Sequence, residues 1–591
     1  MHRKIVSLSL ILMFLSVAFN VVARAAQSGG GLTPQESQLV SSVNGTNAYN
    51  YALRLEEIAL DHNISGYTFR VGGSAGALEA ARWIDSQLES FGLETYEEKF
   101  EFTNWTLLSQ PELTISCNGS RFPIQSFQSD HYSWPTSRSG VSADLVVLPL
   151  PEAANRNEVG VRPINLTIWN AVDTSGKIVL IGREVRWSNG WERTFKSKLT
   201  TQPPAAVVYT WWYDWMSPIP PKPSSGGGRP LSVLGCYFWN LKIPVGWVNH
   251  EEGFLIRDME NTLDASATVK IDSAIGFGPH YNVIGKLEGS IEPEKIIIVS
   301  AHYDTVMTGG FCDNAAGTAG MLELARVFSE ASSSLYFPKY TIMFVAFASE
   351  ELGFVGSINY VSRHKAQTKD IVAVINIDCI GNDELLLSET AGDSLDLDDV
   401  VYGAARDLNV SARLITAGGS DQEAFRDPTG SDYIYGSWGL DANISDALPV
   451  KSSIMVSSSI DPWTHTSYDN STSTETLGWV QPDNLQNHIR VAALSILRIS
   501  ASIDTTTVVT TSASPITPTS VTTSISASPV STTTATPTPT ETPTYTTPST
   551  ATTTSQSGPP AVDPILGVAA IAIMIVVLAL FLAMRRRLKA L

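Results

Sequence analysis

The amino-acid sequence predicts an α/β protein: a mixed, mostly parallel sheet sandwiched by helices, with a mostly β domain inserted into it. Two observations carry this. From residue 295 onward, short apolar runs alternate with helix-forming stretches, which indicates an α/β sheet with both faces covered. Between about residues 140 and 272 the chain changes character, with short β-like runs separated by Pro/Gly loops. With 43% hydrophobic and 9% aromatic residues, the chain can build a large packed core.

The elements follow in order. Thr33-Pro34-Gln35-Glu36 is a capping box with Pro at the first helical position, so a helix starts there. Further helices are expected over 48–60 and over 75–90, the latter closed by Gly92, followed by strands at 94–102 and 113–117. The insert offers β-like runs at 144–148, 177–182, 205–210, 243–248 and 267–271. The aromatic tract 209–215 within it reads as an apolar wall or lid before it reads as a ligand platform. Strands at 295–300, 340–348, 371–377 and 453–456 then alternate with helices at 318–329 and 482–502.

The two ends speak to compartment. Arg3 and Lys4 precede an apolar run over 5–19 and an Ala23-Arg24-Ala25 site, the pattern of a cleaved secretory signal peptide. The uncharged run 565–584 is 20 residues long, enough to span a bilayer, and Arg585, Arg586, Arg587 and Lys589 follow it. Between Asp504 and Pro560 the chain is almost wholly Thr, Ser, Pro, Ala and Val, which cannot bury a core and reads as a disordered, extended stalk. Eight N-x-[ST] sequons, at Asn44, Asn63, Asn104, Asn118, Asn165, Asn409, Asn443 and Asn470, suit a glycosylated surface. The expected location is the cell membrane, single-pass, with the ectodomain outside. An acidic balance of 58 Asp+Glu against 39 Lys+Arg excludes a general nucleic-acid binder. Four cysteines, none in a CxxC pair, exclude both a disulfide scaffold and a Cys-rich zinc finger.

Chemistry-bearing residues gather where buried strands end. His302 and Asp304 follow the 295–300 run, Asp313 opens the next helix, Glu350 and Glu351 follow the 340–348 run, and Asp378 ends the 371–377 run. His465 and Asp469 stand in a loop before the last helix. Ligand sites of open α/β sheets form outside the carboxyl ends of the strands, so these groups can converge. Imidazole and carboxylate donors suit zinc, and two zinc ions ~3.5–4 Å apart need a bridging carboxylate. Asp313 is placed for that, because a helix N-terminus steadies a carboxylate. Each piece alone is weak; their shared position after successive buried strands gives the set its force.

The run HYD, DNAAG, EE, NID and HTxxD resembles the co-catalytic zinc aminopeptidases of metallopeptidase family twenty-eight, whose relatives include glutamate carboxypeptidases. The similarity covers about residues 65–135 and 275–503. The insert resembles a protease-associated domain, with Gly176-Lys-Ile-Val-Leu180 and Ile243-Pro-Val-Gly-Trp247 at the expected places. The resemblance implies a zinc-exopeptidase-like fold and two zinc ions. His302 and Asp378 would hold one, Glu351 and His465 the other, with Asp313 bridging. Glu350 would be the general base and pass a proton to the leaving amine. Asp304 would stand behind His302 and fix its tautomer.

On this reading the chain divides into a signal peptide (1–25), an N-terminal part of the peptidase domain (26–139), the insert (140–272) and the zinc peptidase catalytic domain (273–503). A stalk (504–563), a transmembrane helix (564–584) and a basic cytoplasmic tail (585–591) complete it. The expected activity is removal of N-terminal residues from peptide substrates. The alternatives are a glutamate-releasing carboxypeptidase and a non-catalytic surface receptor, with glutaminyl cyclase below both because its relatives lack the insert. Gln422 departs from a family segment that often reads SDH, which puts a substrate contact from that position in doubt. Cys312 and Cys379 flank two proposed ligands and are open as a disulfide or as two thiols, and Cys117 with Cys236 is an open second pair. Tyr433 or Tyr435 could serve the oxyanion; His131, His250, His280, His364 and His488 match no ligand spacing.

Overall fold

The computed structural model describes residues 31–63, 69–130, 132–148, 170–182, 191–210, 239–306, 308–332, 337–388, 397–415, 419–431, 438, 440, 442–450, 452–458, 465, 469–472 and 480–501. The stretches read as signal peptide, stalk, transmembrane helix and tail lie outside these residues, as do Cys236, Tyr433, Tyr435 and 211–215 of the aromatic tract. No helix among the described residues is long and apolar enough to cross a membrane.

An eight-stranded mixed sheet carries the site. Its strands are β1 (Glu94–Leu107), β2 (Ser273–Leu287), β3 (Glu292–His302), β4 (Tyr340–Phe347), β5 (Ile371–Ile377), β6 (Leu385–Ser388), β7 (Ala412–Ile415) and β8 (Ser453–Ser458). They lie in the order β1-β2-β4-β3-β5-β8-β6-β7. The four central strands, β4, β3, β5 and β8, run parallel, with Val299 of β3 paired to Phe344 on one side and Ile375 on the other. β1 and β2 are antiparallel to their neighbours, and β6 is antiparallel to β8. Parallel strands need both faces covered, and β4 is buried at every position, as its continuous apolar sequence requires.

The connections place a crevice. From β3 the chain passes through the helix Gly317–Ser332 to β4 on one flank. It then crosses through the helix Val355–Arg363 to β5 on the other flank. The connections diverge at the carboxyl end of β3, the topological switch point where α/β sheets bind ligands.

The capping box forms: Thr33 accepts the Glu36 N–H and Glu36 reaches back to the Thr33 N–H, opening the helix Pro34–Ser41. The helix Gly45–Asp61 begins before residue 48 because Asn44 caps it, accepting the N–H groups of Thr46 and Asn47. The helix Ala75–Ser90 stands where expected, capped by Ser74.

A second sheet of eight strands lies apart from the first. Its centre is parallel, running Val141–Leu148, Ile178–Gly182, Ala206–Thr210 and Val245–Trp247. It begins earlier than the sequence placed it: Glu112–Cys117, Ser120–Ile124 and Gln128–Ser129 belong to this sheet, not to the first. No composition break marks the passage at Glu112. What draws Glu112–Cys117 across is pairing with Ser266–Lys270, far away in sequence; Ser120–Ile124 follows it as a hairpin and Gln128–Ser129 pairs with Val245–Trp247. The unit is also less purely β than expected, since the helices Trp191–Thr201 and His250–Leu263 belong to it.

Aromatic rings join the two parts. Trp438 lies 5.0 Å from Phe102, 5.2 Å from Tyr132 and 5.1 Å from Trp239, centroid to centroid. The Trp438 indole N–H donates to the Leu352 carbonyl at 2.9 Å, one residue beyond Glu351. The seam between the two parts thus ends against the site.

Candidate metal centre

Each expected residue sits at the carboxyl edge of the first sheet. His302 is the last residue of β3, Glu350 and Glu351 lie in a turn after β4, and Asp378 immediately follows β5. Asp313 occupies a tight turn, Phe311–Ala316, that precedes the helix proper, and the Asp313–Asn314 peptide is cis. Its backbone is non-helical, so the expected support from a helix N-terminus is absent at this residue.

The support comes instead from Asp469. One carboxylate oxygen accepts the Cys312 N–H at 2.7 Å and the other accepts the Asp313 N–H at 3.1 Å. Arg70, fully buried, holds the same loop by donating to the carbonyls of Tyr303, Leu55, Gly309 and Gly310. Asn314 ties the loop to β5, donating to Ile377 O at 3.0 Å and accepting the Cys379 N–H at 3.1 Å.

Two donor sets result. His302 Nε2 faces Asp313 Oδ1 and Asp378 Oδ1, each at 3.4 Å, and Glu350 Oε2 at 3.9 Å. His465 Nε2 faces Asp313 Oδ2 at 3.0 Å and Glu351 Oε2 at 3.1 Å. Asp313 therefore turns one oxygen to each imidazole. Within the sets His302, Glu350, Asp378 and Asp313, Glu351, His465, the donor atoms lie within 4.8 Å of one another, a spacing that one cation can gather.

The donors fit a metal pair. His302 Nε2 and Glu351 Oε1 are buried without a hydrogen-bond partner, a costly arrangement unless something else satisfies them. Four carboxylates crowd two imidazoles, so the pocket carries excess negative charge. Burial drives the Glu350 carboxyl well above its ordinary range, opposed by His302 and reinforced by Glu351 and Asp378. Burial also lifts Glu351 to about 7, against the pull of His465. Burial would depress His302 and His465, but the facing carboxylates hold both well above the usual imidazole value. Asp313, despite burial, is held below the usual carboxylate range by the two imidazoles. Four buried carboxylates gathered this closely are what a cation relieves.

Asp304 departs from its expected part. The Nδ1 of His302 lies closest to the main-chain carbonyl of Asp304, at 3.1 Å, against 3.6 Å to the carboxylate. The Asp304 carboxylate instead accepts the N–H groups of Glu350 at 2.9 Å and Glu351 at 3.3 Å. Its side chain thus seats the Glu350–Glu351 turn, and its main chain orients the imidazole.

Cys312 and Cys379 are buried free thiols, hydrogen-bonded to each other. The Cys379 thiol also reaches Asp378 Oδ1 at 3.2 Å, and burial pushes it well above the usual range, so it serves as a donor to a carboxylate. Gln422 is fully buried and accepts from Asn376 Nδ2 at 3.3 Å, beneath the site. Of the discounted histidines, His364 pairs with Glu98 and His488 accepts the Gly381 N–H. Sequence reasoning missed Arg70 and gave Asp469 no role; the only signal was the Asp at the end of the HTxxD run.

Comparison with known proteins bears on the family and the fold. Residues 282–492 match the model of Peptidase family M28. The chain is 26% identical to the aminopeptidase YwaD of Bacillus subtilis over 408 residues, 68% of this chain and 76% of that protein. A glutamate carboxypeptidase 2 homolog of Caenorhabditis elegans is 30% identical over 186 residues, 31% of this chain and 22% of that protein. Among solved structures, an aminopeptidase from Aneurinibacillus sp. strain AM-1 shares the fold, with a TM-score of 0.53 and 21% identity over 78% of this chain and 95% of that one. The matched segment runs from β2 to the helix Pro482–Ala501 and holds all seven expected site residues, and with it the chain carries a domain of Peptidase family M28.

Proposed function

We propose that this chain is a two-zinc exopeptidase that removes N-terminal residues from peptides. The observation that carries the reading is Asp313, whose two oxygens face two separate imidazole–carboxylate sets. His302 and Asp378 would hold one zinc, Glu351 and His465 the other, and Asp313 would be shared between them. Bound there, zinc supplies a Lewis acid and lowers the pKa of water.

The rest falls to the chain's own groups. Glu350 lies 3.9 Å from His302 and takes up a proton from the attacking water, then gives it to the leaving amine. Asp304 keeps Glu350 and Glu351 on one turn, so that a base and a ligand stay in fixed relation. Asp469 and Arg70 hold Asp313 where it can be shared. The signal peptide, Thr/Ser/Pro stalk and C-terminal apolar helix read from the sequence complete a surface enzyme anchored by its C-terminal end.

A carboxypeptidase action is the second reading, favoured by the similarity to the Caenorhabditis elegans protein. The two separate on one substrate set: a short peptide with free termini, its N-acetylated copy and its C-terminally amidated copy. Aminopeptidase action cleaves the amidated copy and spares the acetylated one. Cleavage that requires the free carboxylate moves the assignment to carboxypeptidase. Failure to cleave any copy with zinc bound returns the non-catalytic receptor.

A further inference from the structure

We propose that Asn104, His280 and Ser349 form a positioning relay that fixes the turn carrying Glu350 and Glu351. It rests on the roles given to those two glutamates above, and it crosses three strands, from β1 through β2 to the end of β4.

His280 is 2% exposed, with Phe100 stacked on its ring and Phe102 against its edge. Both ring nitrogens are engaged: Nε2 meets Asn104 Oδ1 and Nδ1 meets Ser349 Oγ, each at 2.7 Å. A carboxamide oxygen can only accept, so the proton sits on Nε2 and Nδ1 accepts the serine hydroxyl. Burial holds the imidazole at about 4, which keeps it neutral and in this tautomer near neutral pH.

Ser349 needs to be held. Its backbone is left-handed, φ 61 and ψ 39, a conformation costly for a residue with a side chain. It is fully buried, and a methyl group added at Gly72 would lie 2.4 Å from its hydroxyl oxygen, so the glycine leaves the room that the hydroxyl occupies. The next two N–H groups run to the Asp304 carboxylate. The turn is thus gripped from two sides: His280 holds the Ser349 side chain, and Asp304 holds the main chain of the glutamates. Packing alone would need an apolar ring at 280, not two hydrogen bonds of fixed polarity ending one residue before the base.

The relay also occupies a sequon. Asn104 opens Asn104-Trp105-Thr106, yet its oxygen is taken by His280, and a Cβ at Gly278 would lie 2.6 Å from its amide nitrogen. A glycan on that amide would crowd Gly278 and compete with the hydrogen bond to His280, so the relay predicts that Asn104 is unmodified in the folded, active chain.

The test compares the full zinc-loaded chain with Ser349→Ala, Asn104→Ala and Asn104→Asp, using an aminoacyl p-nitroanilide and EDTA competition for zinc. Ser349→Ala and Asn104→Ala are expected to lose about 10–100-fold in kcat or in zinc retention, the range for disturbed support of metal ligands. KM stays within about threefold, because ground-state binding is untouched. Asn104→Asp keeps the acceptor oxygen while abolishing the sequon, and should restore both readouts. Wild-type kcat and zinc retention in both alanine variants would overturn the relay, as would losses that only follow the unfolded fraction. A glycan at Asn104 in the mass of the secreted chain would overturn it too. Wild-type chain that binds no zinc would instead overturn the reading beneath it.

Discussion

Asp469 holds Asp313 by its main chain: the carboxylate accepts the Asp313 N–H at 3.1 Å and, through its other oxygen, the Cys312 N–H at 2.7 Å. The residue shared by both imidazoles is therefore oriented by a buried carboxylate on a different loop. Asp469→Ala should weaken zinc binding about 10–100-fold, as loss of outer support typically does. Chelator competition reads this directly; unchanged affinity would show that the turn holds itself.

Asp313 offers one oxygen to each donor set, so its loss strikes both. On the proposed two-zinc site, Asp313→Ala should leave less than one ion per chain, whereas Asp378→Ala or Glu351→Ala should each remove mainly one. Elemental analysis after gel filtration measures the count. Equal losses in all three variants would contradict a shared ligand.

Arg70 donates to four carbonyls from full burial, and burial lowers it to about 10 against the pull of Asp469 and Glu56. Arg70→Met orphans those carbonyls and should cost about 3–5 kcal/mol, the range for breaking a buried charged network. Arg70→Lys should recover little, because a single ammonium cannot reproduce the planar fork. Urea unfolding of both variants checks this, and near-wild-type stability of either would be inconsistent with the clamp.

His488 carries an expected acid sensitivity. Burial alone holds it at about 4 in the fold, below the ordinary 6.5. The unfolded chain takes up that proton more readily, so stability is full above about pH 6.5 and is lost as pH falls toward 4. The gap corresponds to about 3 kcal/mol at the acid end. His488→Asn keeps an acceptor for the Gly381 N–H and should narrow the drop in urea midpoint between pH 7 and pH 5. An identical drop in both proteins would assign the acid limb elsewhere.

The parts legible in the sequence are those that local rules write. β3, β4 and β5 each carry a continuous apolar run, and site residues end or follow them: His302 closes β3, Glu350 and Glu351 lie in the turn after β4, and Asp378 follows β5, because a buried parallel strand leaves its polar chemistry to the loop beyond it. β2 escaped because Gly276, Gly278 and Pro279 break its pattern, and what holds it extended is pairing with β1, from Glu94↔Lys286 to Leu107↔Ser273, and with β4 from Val283↔Ala346 to Leu287↔Ile342. The early start of the second sheet escaped for the same reason, since its partner strand is distant in sequence. Arg70 looked like any charge between Phe69 and Val71, and Asn104 looked like a sequon. Their meaning lies in what they touch across the fold, and no local pattern encodes that.

Glu350 is the centre of the account. It lies 3.9 Å from His302 and could pass for a ligand on geometry alone, whereas the proposal makes it the base. Glu350→Gln keeps the size and removes the proton acceptor. The account predicts zinc content equal to wild type with kcat reduced by about 10²–10⁴, the usual worth of a positioned acid–base group. Wild-type turnover, or loss of a zinc ion from the variant, would contradict it.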